Sequence, residues 1–379
     1  MSDEPSYSDP SPIFDSLDID LVVKVLAHTA FSPFFTFFIP IFYLFLGAKV
    51  TDSVVVISGV YYVTISFFWF FKWYSRLYRN QGNLLFGPGR FDWGEQIVVI
   101  TGGSSGIGEL LANTLAVRNV NVVVLDVNPI QTENYNISYY KCDVSKWEEV
   151  EAVSKQIIEE IGQPTVLVNN AGVVQGKLIL DLSPEDVKQT FNVNTLAHFW
   201  TLKAFLPGMI EAKSGHIFTM SSVMGLVGSA QMTDYCASKA ALVLLNESLR
   251  YELDKRYKCP QIRTTLITPG HVLTPLFSTT KLPTWPLFKF LAPSLHPVTV
   301  VKSIIAAMDE QHSQTLMMPF YTQFAPFMPI LPSFLRDLFQ WMSGADYAME
   351  SFVKVSGRRP EEGPVDTQSS RESLAKKEF

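Results

Sequence analysis

Tyr235 and Lys239 stand four residues apart in Asp234-Tyr235-Cys236-Ala237-Ser238-Lys239, and Ser222 lies thirteen residues before the tyrosine. On a helix, residues i and i+4 share a face, so this spacing sets an ammonium one turn from a phenol. A phenol starts near pKa ~10 and needs a nearby cation to act as an acid or base at neutral pH. The Ser222 hydroxyl adds a hydrogen-bond donor for a substrate oxygen. Such a set suits proton transfer to or from an alcohol or a carbonyl. The YxxxK spacing occurs by chance in many helices, so its value depends on the elements that precede it.

Those elements read as a nucleotide site. Ile97-Val98-Val99-Ile100 is a short apolar run of the kind that forms a buried parallel strand. It enters Thr101-Gly102-Gly103-Ser104-Ser105-Gly106-Ile107-Gly108 and then a helical pattern from Glu109 to Arg118. Strand, glycine turn and helix make a phosphate cradle: the glycines let the backbone approach a pyrophosphate, and the helix N-terminus offers unpaired N–H groups. A second strand, Val122-Val123-Val124-Leu125-Asp126, ends in a carboxylate. Asp126 is placed to accept hydrogen bonds from the adenosine ribose and to repel a 2′-phosphate. No Lys or Arg follows it closely or lies in the glycine loop, which favours NAD and leaves NADP as the alternative cofactor.

With these motifs the chain resembles the short-chain dehydrogenase/reductase family over about residues 94–320. The resemblance extends to Cys142-Asp143-Val144, where the family's aspartate meets the adenine, and to Asn169-Asn170-Ala171-Gly172, which lines the cofactor. Asn194 matches the family's catalytic asparagine, and Pro269-Gly270 with Val272 and Thr274 matches the segment that grips the nicotinamide amide. The stretches from Asn194 to Pro207 and from Asp234 to Lys239 are similar to one subgroup, the membrane-associated retinol dehydrogenases and lipid-droplet 17-beta-hydroxysteroid dehydrogenases. The resemblance implies Tyr235 as general base or acid, Ser222 as holder of the substrate oxygen, Lys239 on the nicotinamide ribose and as the group lowering the Tyr235 pKa, and Asn194 as anchor of a water-linked proton relay. Ser221 competes with Ser222, and the thirteen-residue spacing favours Ser222. The resemblance also implies a homodimer, through helices after Ser183 and around Lys239.

Other polar residues carry less. Cys236 reads as a packing residue, and His198, His216 and His271 lack metal-ligand spacing, so no metal site is expected. Three cysteines, an odd number with no close pair, point to a reducing compartment, and the sequon Asn136-Ile137-Ser138 is expected to be unused. A net charge of −6 and 17% charged residues give no nucleic-acid footprint.

Hydrophobic residues make up 47% of the 379, high for a soluble enzyme, and the excess is localised. Residues 1–20 hold six acidic side chains and no Lys or Arg, and residues 1–30 read as an acidic, disordered tail. Phe31 to Gly47 is uncharged and broken by Pro33 and Pro40; after Lys49 and Asp52, Ser53 to Phe71 is a second uncharged run of 19 residues. Residues 31–71 are therefore expected in a membrane, as two spans or as a hairpin in one leaflet. An aromatic belt and the basic residues Lys72, Arg76 and Arg79 open a juxtamembrane linker over 72–93 and place the catalytic domain in the cytosol. Trp285 to Pro293, where the family places its substrate lid, and an apolar extension over 321–345 read as packing on the sheet or facing the bilayer. Residues 346–379 read as a largely disordered tail, ending in Lys376-Lys377-Glu378-Phe379, which resembles a dilysine retrieval signal.

The expected architecture is a doubly wound parallel sheet, α/β in class, with strands starting near residues 97, 122, 138, 165, 215, 262 and 314, and with loops over 208–215 and 280–297. The expected activity is hydride transfer between a nicotinamide cofactor and a lipophilic alcohol, ketone or aldehyde, at the endoplasmic reticulum membrane or a lipid droplet. The rivals are an NADPH-dependent carbonyl reductase and a non-catalytic membrane scaffold.

Overall fold

The computed structural model describes residues 17–82, 92–131, 134–350 and 352. Seven parallel strands form one sheet: β1 (Ile97–Thr101), β2 (Asn121–Asp126), β3 (Ile137–Lys141), β4 (Val166–Asn169), β5 (Gly215–Met220), β6 (Ile262–Pro269) and β7 (Gln314–Met318). Their order is β3-β2-β1-β4-β5-β6-β7. The chain reverses direction across the sheet between β1 and β4, and this switch point opens a crevice at the C-terminal ends of the strands.

Helices α1 (Ile19–His28), α2 (Pro33–Phe45) and α3 (Ser53–Arg79) precede the sheet. Then come α4 (Gly106–Ala116), α5 (Trp147–Glu160), α6 (Pro184–Phe191), α7 (Ala197–Ala212), α8 (Thr233–Lys255), α9 (Pro286–Leu291), α10 (Pro297–Glu310) and α11 (Ser333–Ser343). α4 and α10 cover one face of the sheet, with Leu111, Leu115 and Ile304 packed on Val98, Val124 and Phe218. α5, α7 and α8 cover the other, with Ile157, Phe205 and Leu253 packed on Val99, Leu167 and Ile217. Successive residues such as Val98 and Val99 thus enter opposite cores, which is why these strands read as unbroken apolar runs rather than alternating ones.

Three expectations need correction. Residues 19–28 are helical rather than disordered: Asp18 caps α1 by accepting from the Leu21 N–H at 2.9 Å, and Asp20 Oδ1 accepts from the Phe320 N–H at 2.6 Å. The loop expected over 208–215 is shorter, because α7 continues through Pro207 to Ala212, held by buried Phe205 and Met209 on either side. The loop expected over 280–297 contains α9.

α2 and α3 lie against each other, with the Tyr61 hydroxyl donating to Ala30 O (2.7 Å) and the Trp69 indole to Phe31 O (2.7 Å). Their Phe and Val side chains are largely exposed. By length and composition, α3 is the one described helix able to cross a membrane alone; α1 and α2 qualify only together, with a 54° bend. Buried Asn80, just after α3, ties this unit to the sheet. Its amide donates to Ser313 O (3.2 Å) and accepts from the Ser313 N–H (2.5 Å), and its carbonyl accepts from Arg263 (2.9 Å).

Candidate active site

The sequence-predicted residues converge on the C-terminal edge of the sheet. β1 ends at Thr101, whose hydroxyl accepts from the backbone N–H groups of Asn170 (3.0 Å) and Ala171 (3.1 Å). The Asn170 amide donates to the carbonyls of Thr101 (3.1 Å) and Gly102 (3.0 Å), so the end of β4 and the glycine turn form one unit. Gly102 has φ +64°, and a Cβ there would stand 2.8 Å from Ala171 Cα. Gly106 has φ +59° and opens α4, which starts from Ser105 without a side-chain cap. Ile107 packs on the core below and Gly108 is buried against the Gly102 carbonyl. An uncapped N-terminus at a glycine turn is what a pyrophosphate requires.

Asp126 ends β2 beside this turn. Its carboxylate accepts from the N–H groups of Ser104 (3.0 Å) and Asn128 (2.9 Å), and the Ser104 hydroxyl donates to Asn128 O (2.7 Å). Asp143, past β3, accepts from the Ser145 hydroxyl at 2.7 Å, with Val144 buried next to it. Gly172 follows β4, and its Cβ direction points to Asn194 Oδ1 and Lys239 Nζ, each 3.5 Å away. Pro269 ends β6; the Gly270 N–H donates to Met318 O (2.8 Å), Val272 is buried, and Thr274 faces Gly106 across 3.8 Å from its Cβ direction. The residues present fit a nicotinamide dinucleotide laid across the switch point.

Tyr235 and Lys239 lie in the first turns of α8, both buried. The Lys239 ammonium stands 5.7 Å from the Tyr235 ring centroid and donates to Met220 O at 2.9 Å. Ser222 follows β5 and hydrogen-bonds the Tyr235 phenol, which pulls the phenol pKa down, but burial outweighs this and holds it well above the usual tyrosine range. In the protein alone, burial is the largest influence on this phenol. Burial also pulls Lys239 down to about 8. Ser221 turns away, donating to Lys239 O at 2.8 Å.

Between about pH 8 and 10 the unfolded chain binds the Lys239 proton more fully than the folded one, so this group's contribution to stability rises with pH there. Thermal melts of the cofactor-free protein should show the wild type gaining on Lys239→Met through that window, and parallel curves would contradict the burial of a charged amine.

Asn194 sits in a π-helical turn, Asn192–Leu196, at the start of α7. Such turns displace backbone hydrogen bonds and are frequent at functional sites. Its side chain is fully engaged, accepting from the Val173 N–H (2.8 Å) and donating to Val173 O (2.9 Å) and Ser238 Oγ (3.0 Å). Ser238, missed by the sequence reading, donates to Tyr235 O at 2.7 Å and thus locks Asn194 to the tyrosine's turn. Its place three residues after the tyrosine was the available signal. His198 and His216 are buried and pulled down to about 3, so both are neutral at pH 7. No group of His, Cys, Asp and Glu that could hold a metal occurs among the described residues.

The C-terminal end also departs from expectation, since a largely disordered tail was expected over 346–379. Met349 is buried in a cluster with Tyr235, Val174 and Met232, against which Cys236, Phe277 and Phe352 also pack. The Phe277 ring meets the Tyr235 ring edge-on at 6.1 Å. No motif marks Met349 or Phe352, so nothing in their type or spacing could have revealed them. The dilysine lies outside the described residues, as do residues 1–16 of the expected acidic tail.

Residues 96–283 match the family model for short chain dehydrogenases. Short-chain dehydrogenase/reductase family 16C member 6 of Bos taurus is 35% identical over 288 residues, spanning 72% of this chain and 87% of the relative. Epidermal retinol dehydrogenase 2 of Homo sapiens is 38% identical over 275 residues, spanning 68% and 85%. Among solved structures, a 4-hydroxyisoleucine dehydrogenase mutant complexed with NADH and succinate superposes with a TM-score of 0.53 at 25% identity, covering 59% of this chain and 96% of that one. The chain belongs to the short-chain dehydrogenase/reductase family. It is an NAD(P)-dependent oxidoreductase acting on alcohol groups, and its relatives stand in the retinol dehydrogenase subgroup that the sequence resembles.

Proposed function

We propose that the protein is a membrane-held dehydrogenase that uses NAD to interconvert a lipophilic alcohol and its aldehyde or ketone. The observation that carries this reading is the apolar company of Tyr235: Val174, Met232, Phe277 and Met349 surround a phenol that is only 5% exposed. Such a wall favours a hydrocarbon body and leaves the hydroxyl of Ser222 to orient the substrate's one polar end. Tyr235 takes the alcohol proton in oxidation and returns it in reduction, while Ser222 holds the oxygen. Lys239 binds the nicotinamide ribose and, as an ammonium, favours the phenolate; Asn194 keeps this turn in register. When bound, the nicotinamide supplies the hydride acceptor.

Asp126 supports NAD, since its carboxylate faces the glycine turn where a 2′-phosphate would add like charge. The wild type should prefer NAD to NADP by about 100-fold, and Asp126→Ser should erase most of that preference. Equal use of both cofactors by the wild type would remove the assignment.

Membrane attachment is supported by the exposed aromatic and aliphatic side chains of α2 and α3, with Lys72, Arg76 and Arg79 at the end that meets the catalytic domain. Phe334, Phe339 and Trp341 on α11, and Phe324, Phe327 and Ile330 before it, add exposed apolar surface near the site. A cytosol-facing catalytic domain on the endoplasmic reticulum or a lipid droplet fits this arrangement. Exposed Phe199 on α7 and Leu244 and Tyr251 on α8 suit the homodimer. The test is to wash membranes bearing the full chain with alkaline carbonate and assay NAD-dependent oxidation of long-chain alcohols. Activity should stay in the pellet; activity released to the supernatant would overturn membrane attachment.

A further inference from the structure

The chain beyond α11 returns to the active site and is held there by three of its loops. From the loop after β5, the Ser229 hydroxyl donates to Ala345 O (2.8 Å), the Ala230 N–H donates to Asp346 Oδ1 (3.1 Å), and Gly228 O accepts from Gln340 (3.0 Å). From the segment after β6, the Lys281 N–H donates to Ala348 O at 3.1 Å, and Pro283 packs on Gly344, whose φ is +62°. From the segment after β4, Gly176 lies so close under Phe352 that a Cβ would stand 2.3 Å from the ring; its φ of +67° also favours glycine. Between these ties Ala348 and Met349 are buried, and Met349 reaches the cluster around Tyr235.

We propose that residues 344–350 and Phe352 form the substrate-side wall of the active site, and that Met349 and Phe352 determine how bulky an alcohol reaches Tyr235. This rests on the reading of the Tyr235 site as an alcohol-oxidising one. The wall shares a buried cluster with Tyr235, and two of its three attachments belong to loops that also carry Ser222 and Thr274. A methionine thioether adapts its shape to an irregular guest, whereas the ring of Phe352, pinned on Gly176, does not. The site therefore takes a slender, flexible lipophilic alcohol in preference to a rigid fused-ring one. Cutting back either side chain opens the wall to the rigid one.

The test compares decan-1-ol, the slender probe, with estradiol, the rigid one, on purified full-length protein in detergent. Two ratios are read: kcat/KM with NAD, and the dissociation constants on the NAD-loaded Tyr235→Phe protein by titration calorimetry. Met349→Ala and Phe352→Ala should each raise preference for estradiol over decan-1-ol by about tenfold, and Met349→Trp should lower it, with NAD affinity unchanged as the check on folding. Opposite shifts from opposite changes in size cannot come from loss of stability alone. Ratios within about twofold of wild type in every variant would overturn the wall, as would the absence of binding of both alcohols to every version. Turnover with unshifted ratios would remove the wall and leave the dehydrogenase reading standing. Shifted binding without any turnover would do the reverse.

Discussion

Tyr235→Phe should lower alcohol oxidation by about 10²–10⁴-fold, the range expected when a positioned proton acceptor is removed. The substitution deletes one oxygen and keeps the ring in its cluster with Val174, Met232 and Met349. The lost contact is the hydrogen bond with Ser222, and burial already disfavours ionisation of that hydroxyl, so the fold should not suffer. None of the dinucleotide residues from Gly102 to Asp126 belongs to the cluster around Tyr235, and NAD affinity should stay within about threefold, the scatter typical of single-interaction effects. Steady-state turnover and direct NAD titration on the same preparation separate these two outcomes. Wild-type-like turnover in the variant would remove Tyr235 from the chemistry.

Gly108→Ala should have the largest effect on the cofactor site. A Cβ at this position would stand within 2.2 Å of the Gly102 carbonyl oxygen and 2.6 Å of the Asn170 amide nitrogen. Both belong to the junction that joins the glycine turn to the end of β4: the first is backbone, and the second is a side-chain nitrogen held by the Thr101 and Gly102 carbonyls. Relief requires α4 to move away from the turn, which displaces the helix N-terminus from its place. A shift near 1 Å at such a site costs about 100-fold in function, and overpacking costs about 1–3 kcal/mol of stability. NAD titration should show weakening of that order together with a lower Tm. Gly59→Ala is the control, because nothing lies within 4 Å of its Cβ direction. An unchanged NAD affinity in Gly108→Ala would mean that the dinucleotide does not lie over this turn.

Much of this was legible because the relevant signals are local. The observed strands start at residues 97, 121, 137, 166, 215, 262 and 314, each within one residue of its expected position. Strands buried on both faces need continuous Val and Ile runs, and such runs are visible without neighbours. The glycine turn was legible for a similar reason: a positive φ and a close backbone approach leave glycine as the suitable residue. What was not legible depends on contacts distant in sequence. Asn80 looks like a loop residue until Ser313 and Arg263 meet it. Pro207 argues for a break, yet Phe205 and Met209 hold α7 on the sheet. Met349 and Phe352 are ordinary apolar residues whose meaning arises when three loops fold their segment over Tyr235. The raised Tyr235 pKa follows from burial, which spacing on a helix does not report.

The central claim is that the Tyr235 site oxidises a lipophilic alcohol with NAD. The most direct measurement is NADH formation by the purified full-length protein offered NAD with retinol, hydroxysteroids and long-chain primary alcohols in turn. NADH should form in step with the aldehyde or ketone from at least one of these, and none above background from the Tyr235→Phe protein. No turnover across the panel with NAD or NADP, or equal turnover by wild type and Tyr235→Phe, would contradict the claim.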